Sequence, residues 1–249
     1  MKQSNVHEFA FFIPSLSSTH KQTAIGSLYT LQDKILIPRI TTVLRLSIGE
    51  TCIFFDRLMH MRVQLATVHK KELVFTIIES HSNTLLKPRV TCIVPLLKKD
   101  DLGDAITTIT ACGVNAIQLV TTAKVQRAWG GAQELERLER LVIASAEQAK
   151  WYGLPTLHPP IPLKDALEKE RSSFRLFFDP TGKPLRSIIT HLYEEQPSSI
   201  CLIIGPEGDL THEEKNMLHK NNIPFCALTP TILRAHLAIT VATGIIRSL

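Results

Sequence analysis

The chain has 249 residues, of which 44% are hydrophobic, so it can bury a sizeable core and is not expected to be disordered. Charged residues make up 20%, and the formal net charge of +5 suits a polyanionic partner. The 5 cysteines form an odd set without CxxC spacing, which indicates neither a disulfide framework nor a metal site. No run approaches the ~20 apolar residues of a membrane helix, and no signal-peptide core is evident. We therefore expect a cytoplasmic protein without membrane or metal.

Short apolar stretches in the first third of the chain predict β-strands. They lie at Phe9 to Ile13, Thr51 to Phe55, Arg62 to Val68 and Leu73 to Ile78, with one helix candidate at Ile40 to Leu46. Turn signals between them recur at hairpin-like spacing, which favours a small β-barrel of antiparallel strands. The polar segment from Ser80 to Pro88 closes on a proline and is typical of a linker. We therefore predict two domains, residues 1–85 and 86–249.

After Pro88 the pattern alternates between strands and helices. Strands are predicted at Val90 to Pro95, Ala116 to Val120, Phe174 to Phe178, Ile200 to Ile204 and Pro224 to Leu228. Helices are predicted at about Asp100 to Cys112, Gln133 to Lys150, Leu185 to Glu194 and Thr211 to Asn221, with a last one from Ile232. This alternation is typical of an α/β fold with a mostly parallel sheet and helices on both faces.

Three strand-to-helix loops are candidates for a ligand site, because such sheets bind ligands beyond the carboxyl ends of their strands. The first runs from Gly205 to Leu210 and has two glycines around a proline, a pattern that also fits a tight turn without a ligand. The second ends at Arg234, near the start of a helix, where the helix dipole disfavours a cation unless an anion is present. The third follows Phe178 and is rich in turn residues.

With these loops the chain resembles the bacterial RsmE family of SPOUT-class methyltransferases, which form N3-methyluridine in 16S ribosomal RNA. The matching segments are Val43 to Arg45 with Gly49 and Phe55-Asp56, Cys112 to Val114, Glu147-Gln148, Ile203 to Leu210, and Ile232 to Arg234. The resemblance implies a PUA-like N-terminal β-barrel, a C-terminal α/β domain with a deep trefoil knot, a homodimer, and S-adenosylmethionine (SAM) as cofactor. The implied substrate is 16S ribosomal RNA within the small ribosomal subunit.

The resemblance also implies residues of the site. Its SAM pocket corresponds to Phe178, Asp179, Gly205, Pro206, Glu207, Gly208, Leu228 and Leu233. Methylation at N3 of uracil requires loss of the N3 proton, so a cation that stabilises the uracil anion, or a general base, is needed. Arg234 is predicted as the cation and His236 as a substitute base.

Departures from the family pattern leave two other hypotheses open. Ala235, His236 and Leu237 stand where the family usually has Thr, Glu and Thr, and Asp209 stands where it has a second glycine. The chain could therefore be a catalytically weakened homologue that binds RNA and SAM without methyl transfer. An unrelated α/β enzyme with a nucleotide cofactor is disfavoured, because neither a GxGxxG nor a Walker-type loop occurs.

Basic residues of the first domain are candidates for RNA contacts. Residues 1–85 carry nine Lys or Arg against six Asp or Glu, a net of +3. Arg39, Arg45, Lys70 and Lys71 are the predicted phosphate contacts. Because no aromatic RNP-type stripe is evident, we expect recognition of RNA shape rather than stacking of bases on a sheet.

Overall fold

The structure, a computed structural model, describes residues 8–19, 24–125 and 127–249 and divides into two units. Unit 1 is the chain up to Thr84 together with Glu147–Gly153, and unit 2 is Leu85–Ala146 together with Leu154–Leu249. Residues 1–7 and 20–23 of the predicted first domain lie outside the described residues. The boundary between the two units thus falls after Thr84, and the later segment Glu147–Gly153 also belongs to unit 1.

Unit 1 contains a five-stranded sheet in the order β1-β3-β4-β5-β2. Its strands are β1 (Phe9–Phe12), β2 (Leu28–Leu31), β3 (Thr51–Phe55), β4 (Met59–Val68) and β5 (Leu73–Ser82). Strand β1 is parallel to β3 and the other pairs are antiparallel, so the expectation of a wholly antiparallel sheet is wrong. Within the described residues, β1 and β2 are the two edges of this order.

The helical segments of unit 1 are short. They are α1 (Leu16–Thr19), α2 (Leu36–Pro38) and a π-helical turn, Arg39–Val43. The predicted helix from Ile40 to Leu46 is therefore wrong in its bounds: the π-helical turn ends before Arg45, which has a left-handed φ of 56°. That backbone conformation cannot continue a right-handed helix.

Aromatic side chains fill the core of unit 1. Phe54 on β3 is fully buried and packs edge-on against Phe11, Tyr29 and Phe75, with ring centroids 4.8 to 6.2 Å apart. Burial of each such side chain stabilises the fold by about 1.5–3 kcal/mol. The alternation of buried and partly exposed residues along β4 and β5 produces this one-sided core.

Unit 2 contains a six-stranded sheet in which every neighbouring pair is parallel. Its order is β11-β9-β10-β6-β7-β8. The strands are β6 (Arg89–Pro95), β7 (Ala116–Thr121), β8 (Thr156–Pro162), β9 (Phe174–Pro184), β10 (Ser199–Ile204) and β11 (Phe225–Ala227). The predicted α/β fold with a parallel sheet is confirmed.

Helices pack on both faces of this sheet. The helices of this part of the chain are α3 (Lys99–Ala111), α4 (Gly131–Ala149), α5 (Leu163–Lys169), α6 (Leu185–Glu195), α7 (His212–Lys220) and α8 (Ala235–Arg247); the last three residues of α4 belong to unit 1. Cys92 on β6 contacts Thr243 of α8, whereas the next residue, Ile93, belongs to the core formed with α5 and α7. Because neighbouring residues of a strand point to opposite faces, α8 and the pair α5 and α7 lie on different sides of the sheet.

The sequence patterns missed β2, β8 and α5 and shortened β9. Strand β8 contains Pro159, Pro160 and Pro162, which argue against a strand except at a sheet edge, where β8 lies. Strand β9 is predicted to end at Phe178 but continues to Pro184, because Lys183 and Pro184 pair with β11 after an irregular excursion. That excursion forms one wall of the site described next.

Candidate cofactor site

A cavity of about 440 Å³ opens at the carboxyl ends of β9, β10 and β11 in unit 2. Three segments surround it: residues 178–180 within β9, residues 204–209 from the last residue of β10 onward, and residues 226–238 from β11 into the first turn of α8. Carboxyl-terminal loops of a parallel sheet meet at one edge, which explains how segments distant in sequence line one cavity. Its volume lies in the range of pockets that hold a small-molecule ligand.

The structure brings most of the predicted cofactor residues to this cavity. Those that line it are Phe178, Asp179, Gly205, Pro206, Glu207, Leu228 and Leu233, and the predicted catalytic residue Arg234 lines it as well. Gly208 is not among the lining residues and lies against Lys124, whose Cβ would be 3.5 Å from a Cβ on this glycine. The cavity therefore joins all three predicted loops.

Several lining residues were missed by the sequence patterns. They are Pro180, Ile204, Asp209, Cys226, Thr229, Thr231, Ile232, Ala235 and Ala238. All lie within a few residues of the predicted ones, so extension of each loop by its neighbours could have found them. Their specific orientation depends on the meeting of three loops, which no local pattern encodes.

Asp179 is the most enclosed carboxylate of the cavity wall, with a side chain that is 2% exposed. Lys215 Nζ donates to its Oδ2 at 2.7 Å, and the backbone N and the hydroxyl of Thr181 donate to its Oδ1 at 2.8 and 2.6 Å. Burial by itself would raise the pKa of this carboxyl, but the hydrogen bonds from Lys215 and Thr181 outweigh burial and lower it. Asp179 is therefore ionised at neutral pH.

Lys215 also joins two loops of the cavity. Its Nζ lies 2.7 Å from Asp179 Oδ2 and 2.7 Å from Asp209 Oδ2. Asp179 belongs to the loop within β9, and Asp209 to the loop after β10. One ammonium group on α7 thus holds both walls through charge-assisted hydrogen bonds.

The loop after β10 is a tight turn followed by a capped helix. Asp209 N donates to Pro206 O at 2.9 Å, and Asp209 has a left-handed φ of 61°. The hydroxyl of Thr211 accepts from Glu214 N, and the Glu214 carboxylate accepts from Thr211 N. These two reciprocal hydrogen bonds form a capping box at the start of α7, next to Thr211, where the helix is predicted to begin.

Glu207 contacts a neighbouring loop of the sheet. Its Oε1 accepts from Lys98 N at 3.0 Å, in the segment after β6. Glu207 lines the cavity and also positions that segment. The carboxylate of Glu207 therefore already accepts a hydrogen bond within the protein.

Arg234 lies at the start of α8 and not inside it. The last helix is predicted from Ile232 but begins at Ala235, with Arg234 as the N-cap residue in an extended conformation. The side chain is exposed, and within the described residues it forms no ion pair. Its guanidinium can therefore bind an anion presented at the cavity.

His236 does not line the cavity. Its Nδ1 lies 3.2 Å from Asp101 Oδ1 on α3, and its side chain is 15% exposed. The predicted role as general base is thus not supported by its position in this chain. The ring instead links the first turn of α8 to the first turn of α3.

The predicted RNA contacts are all in unit 1. Arg39 donates from Nη2 to Glu147 Oε2 at 2.7 Å, and its guanidinium carbon lies 5.3 Å from the centre of the Phe11 ring. Arg45, Lys70 and Lys71 are exposed. Arg39 therefore has partners within unit 1, whereas the other three side chains point to solvent.

Membrane-spanning helices and clustered metal ligands are both absent from the described ranges 8–19, 24–125 and 127–249. None of the helices there is both long enough and apolar enough to cross a membrane. No group of three or more His, Cys, Asp or Glu side chains in these ranges could hold a metal ion.

A cavity of ligand size beyond the carboxyl ends of the strands is where parallel α/β sheets usually bind small ligands. Residues 85–247 match the family model described as RNA methyltransferase domain. The chain belongs to this family of RNA methyltransferases, and the predicted membership of the RsmE family is confirmed.

Curated relatives of this chain carry the name ribosomal RNA small subunit methyltransferase E. The protein of Rickettsia conorii is 28% identical over 212 residues, which cover 84% of this chain and 85% of the relative. The protein of Synechocystis is 30% identical over 173 residues, which cover 68% of this chain and 56% of the relative.

Solved structures share the fold. A Legionella pneumophila protein assigned as a methyltransferase, solved with bound SAM, superimposes with a TM-score of 0.82 at 21% identity and covers 98% of both chains. The ribosomal RNA small subunit methyltransferase E of Neisseria gonorrhoeae, also solved with SAM, gives a TM-score of 0.81 at 23% identity, with 97% of this chain and 98% of that chain covered.

Proposed function

We propose that this chain transfers a methyl group from SAM to N3 of a uridine in 16S ribosomal RNA of the small ribosomal subunit. The observation that carries the proposal is the cavity itself, which joins the three loops that the RsmE resemblance assigns to SAM. The names of the curated relatives and the SAM in the structural neighbours support it.

The lining residues fit SAM in chemistry. Apolar side chains of Phe178, Leu228 and Leu233 offer walls for an adenine ring. Gly205 has no side chain between its backbone and the cavity, so a ligand can approach the main chain closely. Bound SAM supplies a methyl group on a sulfonium centre, and the carboxylates of the wall suit that positive charge.

Arg234 is the proposed catalytic residue. Methyl transfer is an in-line displacement, so the uracil N3 must be aligned with the donor carbon and must lose its proton. A guanidinium at the cavity can attract the uracil oxygens and stabilise the negative charge that develops as the proton leaves. Arg234 has the required charge, lines the cavity and is exposed to an incoming base.

We propose that His236 holds the start of α8 in place and is not the general base. The contact of its ring with Asp101 fixes the start of α8, and Arg234 immediately precedes this helix. The acceptor of the N3 proton is then a group other than His236, for which water is the simplest choice.

Arg45, Lys70 and Lys71 are proposed to contact RNA phosphates, since exposed cations bind a polyanion without reading its bases. Arg39 is retained as a weaker candidate, because Glu147 already neutralises its charge. The remaining proposals follow the family resemblance: unit 1 is a PUA-like barrel, unit 2 carries a trefoil knot, the enzyme is a homodimer, and it works in the cytoplasm on small subunits.

A second candidate function is binding of RNA and SAM without methyl transfer. Ala235 lines the cavity at a position where the family usually has a threonine, so a hydroxyl is absent from the wall. The two functions share every binding property and differ only in turnover. The same assay therefore distinguishes them.

The test is methyl transfer from labelled SAM into small ribosomal subunits that lack the modification, followed by nucleoside analysis. We expect 3-methyluridine as the labelled product. Label in another nucleoside would overturn the assignment of the acceptor atom. If the subunits stay unlabelled although the protein binds SAM and RNA, the chain is a binding protein and not an active methyltransferase.

A further inference from the structure

The cavity wall contains an acidic residue that the family pattern lacks, and this residue has a cationic partner. Asp209 stands where the RsmE pattern has glycine, and Lys215 bridges it to Asp179 with two distances of 2.7 Å. Building on the proposed function, we propose that Asp209 and Lys215 are specificity-determining residues: Asp209 raises, and Lys215 lowers, the preference for the cationic methyl donor over its neutral product.

The backbone conformation at Asp209 does not depend on the charge of its side chain. Its φ of 61° is one that glycine adopts freely and that Asp and Asn tolerate. The turn therefore does not need a carboxylate. The carboxylate that is present accepts from Leu210 N at 2.7 Å through Oδ1 and pairs with Lys215 through Oδ2, with a side chain that is still 56% exposed.

The charged side chains that line the cavity, together with Lys215, which pairs with two of them, have an excess of one negative charge. Asp179, Asp209 and Glu207 contribute three formal negative charges, whereas Lys215 and Arg234 contribute two positive charges. Without Asp209 the balance of these groups would be neutral. Asp209, the residue that departs from the family pattern, thus decides whether this set of charges is negative or neutral.

The donor and its product differ in the charge that such a wall detects. SAM carries a positive sulfonium, whereas S-adenosylhomocysteine (SAH), its product after methyl loss, has a neutral thioether at the same place. The two molecules otherwise present the same adenosine and amino-acid groups. A negative wall in a partly enclosed cavity therefore favours SAM and promotes release of SAH.

Lys215 should oppose this preference while it holds the two loops together. Loss of its charge would make the wall more negative, but it would also leave Asp179 enclosed without its cation. Both ligands would then bind more weakly because the loops loosen, while the ratio of SAM to SAH affinity rises. A purely structural role would change the two affinities by the same factor.

Isothermal titration of SAM and SAH separately, on the full-length wild type and its variants, tests the inference. Asp209→Asn and Asp209→Gly keep a tolerated backbone, and we expect each to lower the ratio of SAM to SAH affinity about fivefold. Lys215→Met should raise the ratio, and Lys215→Arg should restore it. Lys220→Met removes an exposed lysine from the same helix and should leave the ratio unchanged.

The outcomes separate this inference from the proposed function. If wild type binds both ligands but Asp209→Asn and Lys215→Met leave the ratio unchanged, the pair is only structural and the inference is overturned. If wild type binds neither ligand, the proposed function is overturned together with it. Ratios that move in opposite directions for the two variants support the inference.

Discussion

The backbone of Gly182 packs directly against the backbone of Cys226. A Cβ atom on Gly182 would lie 2.3 Å from Cys226 N and 2.4 Å from the carbonyl carbon of Phe225, closer than real Cβ contacts. The irregular excursion of β9 can therefore meet β11 only because residue 182 has no side chain. This contact holds two of the three segments that surround the cavity.

Replacement of Gly182 by alanine should disrupt this contact. Because the clash is with backbone and not with a flexible side chain, we expect the free energy of unfolding to fall by about 3 kcal/mol and SAM binding to weaken. Urea unfolding and titration with SAM measure the two effects. Gly244→Ala is the matched control: it lies in α8, where an added methyl group would have no neighbour within 4 Å, and should stabilise by about 0.5–1 kcal/mol.

Loss of the Arg234 guanidinium should affect turnover more than binding. We expect Arg234→Ala to reduce kcat about 100-fold, since a donor that stabilises developing negative charge typically contributes on this scale. SAM affinity should change less than about threefold, and Arg234→Lys should recover part of the rate. Single-turnover methylation and SAM titration provide the measurements, with Arg186→Ala as an exposed arginine control. Equal loss of rate in the control would contradict a specific role.

His236 and Asp101 should behave as a pair. If the ring positions α8 through its 3.2 Å contact with Asp101, His236→Ala and Asp101→Ala should each reduce methylation by less than about fivefold, and the double variant should be no worse than either. Rates of all three variants measure this coupling. A large loss of methylation rate in His236→Ala alone would instead support the role of general base that the sequence predicted for His236.

The enclosed carboxylate of Asp179 should make stability depend on pH. Its pKa is lowered in the fold, because the hydrogen bonds from Lys215 and Thr181 outweigh the effect of burial. Its stabilisation is therefore present above the unfolded value of about 4 and is lost as pH falls through the lowered folded value. Asp179→Asn should cost about 2 kcal/mol at pH 7, and the difference from wild type should shrink below about pH 4.

Urea unfolding of both proteins between pH 7 and the acid range tests this expectation. Asp104→Asn, an exposed carboxylate on α3, is the control and should change stability little at any pH. A difference between wild type and Asp179→Asn that stays constant with pH would show that the carboxylate charge is not the stabilising feature.

The exposed lysines of unit 1 should contribute to RNA binding through charge alone. The double variant Lys70→Ala/Lys71→Ala should weaken binding of small-subunit RNA. The negative slope of log affinity against log salt concentration should become less steep by about 1.5. Arg39→Ala should have a smaller effect, because its guanidinium is already paired with Glu147. Filter binding over a series of salt concentrations measures both. An unchanged slope in the double variant would remove these lysines from the RNA surface.

Local patterns in the sequence determined most of the parallel sheet and the loops of the site. Continuous apolar stretches such as Ile200 to Ile204 predict buried strands, and Thr211 with Glu214 predicts the start of α7, because both signals lie within a few residues. The resemblance to a known family then indicated seven residues that line one cavity.

The tertiary structure decided what those patterns could not. The prolines of β8 argue against a strand in the sequence, and only the position of β8 at the sheet edge makes them compatible with one. His236 faces Asp101 because α8 packs on α3. Asp179 and Lys215 lie 36 residues apart, and Gly182 meets Cys226 across two elements. Such contacts depend on how distant segments meet in space, and a period of two or 3.6 residues carries no information about them.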